Sequence, residues 1–234
     1  MSLIDLAELD ELQRNAEAQR ICFAEAQRPF DLSQDQLLRI TLVRLADEEH
    51  LLALTMHHII SDGWSKGILL RDLAQAYEGY LRGDAAPLPE LPIQYADYAQ
   101  WQRQRMQGEE LEQQLSYWRK QLAGATAMLE LPADYPRPAS RSYQGRRLHF
   151  TLSRELTAAL KELSRREGVT LFMVLTAGFQ SLLHRYAQQQ EVSIGTPVAG
   201  RTRRETEGLI GFFVNTLVLR TDFSGEPTFL ELLQ

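Results

Sequence analysis

The alternation of apolar and polar positions predicts a β-hairpin and a helix in the first third of the chain. Residues 40–45 alternate in the way that a half-buried strand does, and a polar turn at 47–50 separates them from a more apolar run at 51–56. A helix with one buried face follows, because apolar side chains recur there at spacings of four, three and four: Leu69, Leu73, Ala76 and Tyr80. The sequence therefore predicts a hairpin over residues 40–57 that leads into a helix.

The remaining patterns mix helices and strands. Helical periodicity and Ser or Thr N-caps predict helices from Leu6 towards 27, near 94–106 and 109–123, after Ser153, from Thr170 to about 187, and from 227 onwards. Patterns of period two and short apolar runs predict strands at 147–152, 191–197 and 214–220. This order of elements predicts an α/β sandwich rather than a barrel.

Glycine and proline are concentrated in the middle of the chain. The residues concerned are Gly124, Pro132, Pro136, Pro138 and Gly145. This composition is typical of a linker or a long crossover, so we expect one at 124–145. Residues 1–123 and 146–234 are accordingly predicted to be parts of two units.

The composition bounds the kind of protein. The chain has 234 residues, 44% hydrophobic and 24% charged, with a formal net charge of −6, so it is long enough for one large or two small cores. It has no basic stripe interleaved with aromatics, so we expect no nucleic-acid partner. The single cysteine, Cys22, suits a reducing compartment. Because there is no signal-peptide pattern and no apolar run of membrane-span length, we expect a cytoplasmic protein that does not enter a membrane.

The segment HHIISDGWS at residues 57–65 holds the candidate chemistry. It lies where the second strand ends and the chain turns into the helix, and functional groups concentrate at such places. Adjacent strand residues point to opposite faces, so one of His57 and His58 is expected to be structural and the other to face a cavity. Asp62 can accept hydrogen bonds from the loop backbone or pair with a distant arginine, and Gly63 lets a substrate approach the backbone closely.

A metal site is the less favoured interpretation of these residues. Opposed side chains at His57 and His58 are poor geometry for one ion, and no nearby Cys or third His completes a ligand set. We therefore expect no metal. The spacing alone leaves a catalytic role and a structural role equally open.

The segment resembles the HHxxxDG motif of condensation domains in nonribosomal peptide synthetases, which belong to the superfamily of chloramphenicol acetyltransferase. Four further segments resemble that family's motifs in the same order: YADYAQW at 95–101, YW at 117–118 with Leu122, IGTPVAGR at 194–201 and IGFFVNT at 210–216. HHxxxDG alone is a weak pattern, but five segments in order make a specific match that extends over essentially the whole chain.

The resemblance implies a fold and a domain organisation. It implies a two-layer α/β sandwich of the chloramphenicol-acetyltransferase-like type, with parts of two halves that enclose a substrate tunnel. Residues 1–123 would be the C-terminal part of the first half, 124–145 the crossover linker, and 146–234 the N-terminal part of the second half. Because the family's earliest and latest motifs have no counterpart here, we expect a fragment that does not catalyse the reaction by itself.

The resemblance also implies amide-bond formation between two carrier-bound substrates. An upstream peptidyl carrier protein would present a peptidyl or aminoacyl thioester, and a downstream one the α-amine of the next amino acid, each on a phosphopantetheine arm. Adenylation domains are expected in the same synthetase, and no cofactor of the domain's own is expected. Because α-amines titrate near roughly 8 and imidazoles near roughly 6.5, a neutral histidine can accept the proton at cytosolic pH.

The resemblance assigns roles within the site. His58 matches the catalytic position, either as general base or as the group that positions the amine, and the residues leave both roles open. The backbone N–H of Gly63 is expected to steady the oxyanion or the nucleophile. His57 is expected to orient the strand end. Asp62 is expected to hold the loop through an ion pair, for which Arg201 is the best partner in this chain.

Two further residues are candidates for the tunnel lining. Asn215 lies in the segment IGFFVNT, although a hydrogen bond within a sheet explains it equally well. Trp64 follows the motif glycine and is expected to be a core residue at the helix start more than a substrate contact. The run Arg203-Arg204 is expected to be solvated, with an acidic carrier protein as the alternative partner.

Related activities remain as alternatives. Epimerization domains share HHxxxDG, but the continuation Trp64-Ser65 resembles the peptide-forming kind that acts on an L-configured donor. Heterocyclization domains have aspartate in place of the first histidine, and His57 argues against that activity. Docking domains without catalysis usually lack the second histidine, whereas His58 is present. A stand-alone coenzyme A-dependent acyltransferase is the remaining alternative.

Overall fold

The computed structural model describes residues 2–84, 88–126, 128–136, 138–140 and 145–233, in which helices and strands are mixed. The helices are α1 Glu11–Gln27, α2 Gly63–Arg82, α3 Tyr95–Arg105, α4 Gly108–Gln121, α5 Arg154–Arg166 and α6 Leu171–Ala187. The strands are β1 Ser2–Asp5, β2 Leu38–Arg44, β3 His50–Met56, β4 Glu191–Val198 and β5 Asn215–Asp222. Single 3-10 turns span His58–Ile60, Arg204–Thr206 and Glu231–Leu233. None of the helices in these ranges is both long and apolar enough to cross a membrane.

The chain folds into two compact units. The first comprises Met1–Arg105 and Ala199–Asn215, and the second comprises Met106–Val198 and Thr216–Gln234. These limits differ from the predicted ones in two places, because α4 belongs to the second unit and the segment 199–215 belongs to the first. Glycine and proline mark a connection in the sequence, but they do not specify which elements pack together.

A three-stranded sheet and α1 form the core of the first unit. β1 pairs in parallel with β2, and β2 pairs in antiparallel fashion with β3, from Leu38 opposite Met56 to Arg44 opposite His50. The predicted hairpin is therefore confirmed, with the second strand starting at His50. The sheet and the helix bury a common apolar cluster: Leu6, Ala18, Ile21, Val43 and Leu45.

The start of the chain differs from its prediction. A helix was expected from Leu6, but α1 begins at Glu11, because the carboxylate of Asp10 caps it by accepting a hydrogen bond from Gln13 N at 2.9 Å. The residues before this cap include the strand β1 at Ser2–Asp5. Leu6 has the spacing of a helical face, but it contributes to the core from the connection between β1 and α1.

The helices α5 and α6 pack together in the second unit. Ser153 Oγ accepts a hydrogen bond from Leu156 N at 3.1 Å, and Thr170 Oγ1 accepts one from Met173 N at 3.2 Å, so both predicted N-caps are confirmed. The apolar cluster of this unit contains Leu160, Leu163, Val174, Ala177 and Leu233. The strands β4 and β5 form a two-stranded sheet beside these helices in the chain order expected.

Polar contacts at its C-terminal end fix α4 to the second unit. Arg220 of β5 donates hydrogen bonds to the carbonyl oxygens of Gln121 at 2.8 Å and Ala123 at 3.0 Å. The same guanidinium pairs with Glu191 of β4 at 2.6 Å. The residues that close α4 are thus held by strands that follow it in sequence, which accounts for its place in this unit.

Two predicted elements differ from the structure. Residues 147–152 alternate like a strand, but they are exposed and have no regular structure; a strand requires a neighbour to complete its ladder, and none is paired with them in the described chain. The helix predicted from 227 is a single 3-10 turn at Glu231–Leu233, capped reciprocally by Thr228 and Glu231. The predicted linker 124–145 has no helix or strand where it is described, and residues 127, 137 and 141–144 of it lie outside the described residues.

Candidate active site

The two histidines of HHIISDGWS lie in the turn after β3. Because β3 ends at Met56, the strand alternation expected for this pair does not apply. The half-buried His57 caps the 3-10 turn: its Nδ1 accepts a hydrogen bond from Ile59 N at 3.1 Å, and its ring forms a T-shaped pair with Phe30 at a centroid distance of 5.7 Å. His58 is exposed. The geometry therefore gives His57 a supporting position and leaves the imidazole of His58 accessible.

The imidazole of His58 contacts Phe212, which lies in the loop between β4 and β5. The two ring centroids are 5.3 Å apart, and the ring planes stand at 87°. This edge-to-face arrangement is one that aromatic rings prefer. No local pattern indicated the contact, because the two residues are far apart along the chain.

Asp62 is the N-cap of α2, and 3% of its surface is exposed. Its Oδ1 accepts hydrogen bonds from the N–H and the hydroxyl of Ser65 at 2.8 and 2.7 Å, its Oδ2 accepts one from Phe213 N at 3.0 Å, and Arg201 lies 3.4 Å from Oδ1. Burial raises the pKa of the Asp62 carboxyl, but these hydrogen bonds and the Arg201 charge outweigh burial and bring the pKa below its ordinary value. A charged carboxylate thus ties the segment 199–215 to the start of α2.

Arg201 is the cation of this cluster, and its side chain is 1% exposed. Its Nη1 donates hydrogen bonds to the carbonyl oxygens of Thr206 and Leu209, the second at 2.9 Å. The guanidinium also lies 3.9 Å from the centroid of the Phe213 ring. The pair that the sequence suggested between Asp62 and Arg201 is therefore present, and the same arginine also shapes its own loop.

Ser65 was not among the predicted site residues, although it is fully buried at 0% exposure. Its hydroxyl lies within hydrogen-bonding distance of Asp62 Oδ1, Arg201 Nη2 and both backbone polar atoms of Gly211. The sequence held one signal for it, because a residue three positions after an N-cap lies in the same helical turn as the cap. Its contact with Gly211 could not be inferred from that spacing.

Tyr95, the first residue of α3, holds the next part of the same loop. Its hydroxyl donates a hydrogen bond to the carbonyl of Phe212 at 2.8 Å, and its ring forms a T-shaped pair with Phe213 at 5.1 Å. A Cβ at Gly211 would stand 2.2 Å from the Tyr95 ring. Gly211 is therefore needed for this close approach. The segment YADYAQW supplied the family resemblance, and the structure gives its first tyrosine a definite position beside the motif.

The other predicted site residues lie at the starts of α2 and β5. Gly63 is the first residue of α2, and no heavy atom lies within 4 Å of where its Cβ would stand. Trp64 was expected in the core, but it is 51% exposed. That expectation is wrong, because the indole lies at the surface, where its N–H donates to the carbonyl of Glu207 at 3.0 Å. Asn215 is exposed at the first position of β5.

A small cavity of about 350 Å³ lies in the same unit, lined by Ile93, Asp97, Tyr98, Trp101, Arg203, Glu205 and Thr206. Arg203, from the run expected to be solvated, is exposed, and its guanidinium lies 4.4 Å from the centroid of Trp101. Among the described residues, no group of three or more His, Cys, Asp or Glu side chains is placed to hold a metal ion.

Two synthetases of known sequence are similar to the chain over nearly all of its length. One component of the linear gramicidin synthase of Brevibacillus parabrevis is 54% identical over 233 residues, which is 100% of this chain and 4% of that protein. Phosphinothricin tripeptide synthetase PhsB of Streptomyces viridochromogenes is 47% identical over 230 residues, which is 98% of this chain and 19% of that protein. The chain therefore spans a small share of the relatives that it matches.

Solved structures share the fold. The X-domain in its complex with OxyB, from teicoplanin biosynthesis, has a TM-score of 0.90 at 30% identity, covering 100% of this chain and 51% of that chain. A four-domain nonribosomal peptide synthetase bound to AMP and glycine has a TM-score of 0.80 at 27% identity, covering 100% of this chain and 17% of that chain. The α/β fold class predicted from the sequence is confirmed. Since the family model described as "Condensation domain" matches residues 1–234, the chain belongs to the condensation domain family.

Proposed function

We propose that the native protein containing these residues forms an amide bond between two carrier-bound amino acids. The donor is a peptidyl or aminoacyl thioester, and the acceptor is the α-amine of an aminoacyl thioester. Membership of the condensation domain family and similarity to the two named synthetases support this proposal. The observation that carries it is the exposed imidazole of His58, held between a core strand and the N-terminus of α2.

The reaction requires one bond to form and one to break. The acceptor nitrogen attacks the thioester carbonyl carbon, a C–N bond forms, and collapse of the tetrahedral intermediate breaks the C–S bond and releases the donor's thiolate. The nitrogen loses a proton, which the imidazole of His58 accepts before the thiolate takes it up. If His58 instead only positions the amine, the proton passes directly to the leaving thiolate, and the rate gain comes from proximity.

Gly63 is the proposed source of electrostatic stabilisation. As the first residue of α2 it carries one of the backbone N–H groups that have no partner within the helix. These groups form the positive end of the helix dipole, which favours a developing oxyanion nearby. The open space at its Cβ position leaves room for a substrate to approach that N–H. Asp62 and Arg201 support the geometry from beneath by fixing the first turn of α2.

The proposed partners are peptidyl carrier proteins upstream and downstream, which bring the two substrates on phosphopantetheine arms. Adenylation domains of the same synthetase are proposed to load those carriers, in the cytoplasm. The similarity to a four-domain nonribosomal peptide synthetase supports this arrangement. Asn215 and Trp64 are both exposed and remain candidates for contact with the substrates.

The experiment is a single-turnover assay on the native protein with both carriers loaded. His58→Ala should lower the rate of amide formation by roughly 100-fold or more, the range expected for loss of a general acid–base group. The matched control is His149→Ala, which removes an exposed histidine from the irregular segment before α5 and should leave the rate unchanged. A His58→Ala protein that condenses its substrates at the wild-type rate would remove both proposed roles of this residue.

A docking domain without catalysis is the second candidate function. The observation in its favour is the TM-score of 0.90 to an X-domain whose structure is of a complex with a second protein, OxyB. The two candidates differ in the same assay, since a docking domain would leave amide formation indifferent to His58→Ala. The configuration of the product's donor residue separates peptide formation from epimerization, and a carrier-free reaction with a coenzyme A thioester would identify an acyltransferase.

A further inference from the structure

Phe212 is an apolar side chain in an unusual position. It is 40% exposed, although the residues on either side of it, Gly211 and Phe213, are buried. Among the described residues the structure records one ring contact for His58, and its partner is Phe212, at 5.3 Å and 87°. An aromatic ring that stays partly in solvent while its edge-to-face partner is an exposed imidazole is poorly explained by core packing alone.

The backbone around Phe212 is held at three successive residues. Ser65 contacts both the N–H and the carbonyl of Gly211, at 3.1 and 2.8 Å. The Tyr95 hydroxyl donates to the carbonyl of Phe212 itself at 2.8 Å, and Asp62 accepts from the N–H of Phe213 at 3.0 Å. The side chains that do this come from the first turns of α2 and α3, which are regular helices. Consequently the ring of Phe212 is presented from a fixed backbone.

The imidazole of His58 needs such a neighbour because of where it lies. It begins a 3-10 turn of three residues, His58–Ile60, and its side chain is exposed. An exposed side chain changes rotamer readily on its own, whereas proton transfer or amine positioning requires a defined orientation of the ring nitrogens. Contact with a fixed aromatic ring reduces the orientations available to the imidazole.

We propose that Phe212 is a positioning residue that sets the orientation of the His58 imidazole, and that Ser65, Tyr95 and Asp62 serve this purpose by fixing residues 211–213. The proposal rests on the amide-forming role proposed for His58. Phe212 stands at the variable position of the segment that resembles IGxFVNT. The identity of this side chain therefore tunes the reaction through His58 and not through the fold.

The test is the single-turnover assay with Phe212→Leu and Phe212→Tyr in the native protein. Phe212→Leu keeps an apolar side chain but removes the ring, and it should lower the maximal rate by about tenfold, the upper range for one aromatic pair, with the carrier concentration at half-maximal rate unchanged. Phe212→Tyr keeps the ring and should restore the rate to within about twofold of wild type. Phe23→Leu, at an exposed phenylalanine of α1, is the matched control and should change nothing. Hydrogen exchange of residues 206–215 checks that the loop is intact, and Phe212→Met replaces the leucine variant if exchange there accelerates.

The outcomes separate the two proposals. A wild-type rate for Phe212→Leu, with His58→Ala inactive, overturns the positioning role and leaves the proposed function standing. A loss that appears only as a higher carrier concentration at half-maximal rate, or that Phe212→Tyr fails to restore, also overturns it, because the ring would then act on the substrate or on the fold. A wild-type rate for His58→Ala would overturn the proposed function itself.

Discussion

The hydroxyl of Ser65 lies 2.8 Å from the carbonyl oxygen of Gly211 and 3.1 Å from its amide nitrogen, across 146 residues of sequence. The same oxygen lies 2.9 Å from Nη2 of Arg201 and 2.7 Å from Oδ1 of Asp62. A hydroxyl has one proton and two lone pairs, so two donors and two competing acceptors occupy its whole hydrogen-bonding capacity. The first turn of α2 thereby holds the loop that carries Phe212.

Replacing Ser65 with alanine should loosen this loop. The change leaves a buried amide, carbonyl and guanidinium with one partner fewer, and an unsatisfied buried polar group costs about 1–3 kcal/mol. Hydrogen exchange of residues 206–215 should report a loss of local stability in that range. Ser164→Ala is the control: Ser164 is also buried, but its hydroxyl donates to the carbonyl of Leu160 within α5, which the helix already satisfies. Equal losses in the two variants would show that Ser65 has no special role.

Asp62→Asn should change the pH dependence of the same loop. The pKa of Asp62 is lowered in the folded protein, so the unfolded state binds its proton more readily and the ionised carboxylate stabilises the fold. That contribution is complete above the ordinary aspartate pKa of about 3.9 and is lost as the pH falls through the lower folded value. At pH 7 the variant should lose roughly 3 kcal/mol of local stability, the scale for a broken buried ion pair.

The difference between wild type and Asp62→Asn should therefore narrow when hydrogen exchange is measured at pH values from 6 down to 3. Asp5→Asn removes a carboxylate from an exposed pair with Arg44 and should have little effect at any of these values. A constant difference across this pH range would mean that the charge of Asp62 does not contribute and that only its shape matters.

Gly211→Ala should be destabilising because of Tyr95. The new Cβ would stand 2.2 Å from the tyrosine ring, which also packs against Phe213. Overpacking of this kind costs about 1–3 kcal/mol. Gly67→Ala provides the contrast, since no atom lies within 4 Å of its Cβ position in α2 and alanine favours a helix by about 1 kcal/mol. Thermal unfolding should shift down for the first variant and remain level or rise for the second, and the reverse order would contradict the contact.

His57 should be separable from His58 by two substitutions. His57→Ala removes the acceptor that caps the 3-10 turn through Ile59 N, at a cost of about 1 kcal/mol. His57→Asn keeps an acceptor at that position and should recover both stability and most of the amide-forming rate. If the asparagine variant is as stable as wild type but forms no amide, His57 takes part in the chemistry directly.

Local patterns determined much of the fold. The N-caps at Ser153 and Thr170 and the hairpin of β2 and β3 are as predicted, because capping and strand alternation depend on side chains within a few residues. The segment at 57–65 was also found from sequence, as a turn between a core strand and a helix. Asp62 and Arg201 were matched through family resemblance, and the structure places them 3.4 Å apart.

Tertiary structure alone decided the rest. The alternation at 147–152 does not form a strand, since a strand also needs a hydrogen-bonded neighbour. Trp64 is half exposed because its N–H finds a carbonyl in a distant loop, and the contacts of Ser65 and Phe212 have the same origin. Sequence patterns record preferences over one or two turns of chain, whereas these positions depend on which remote segment packs against them.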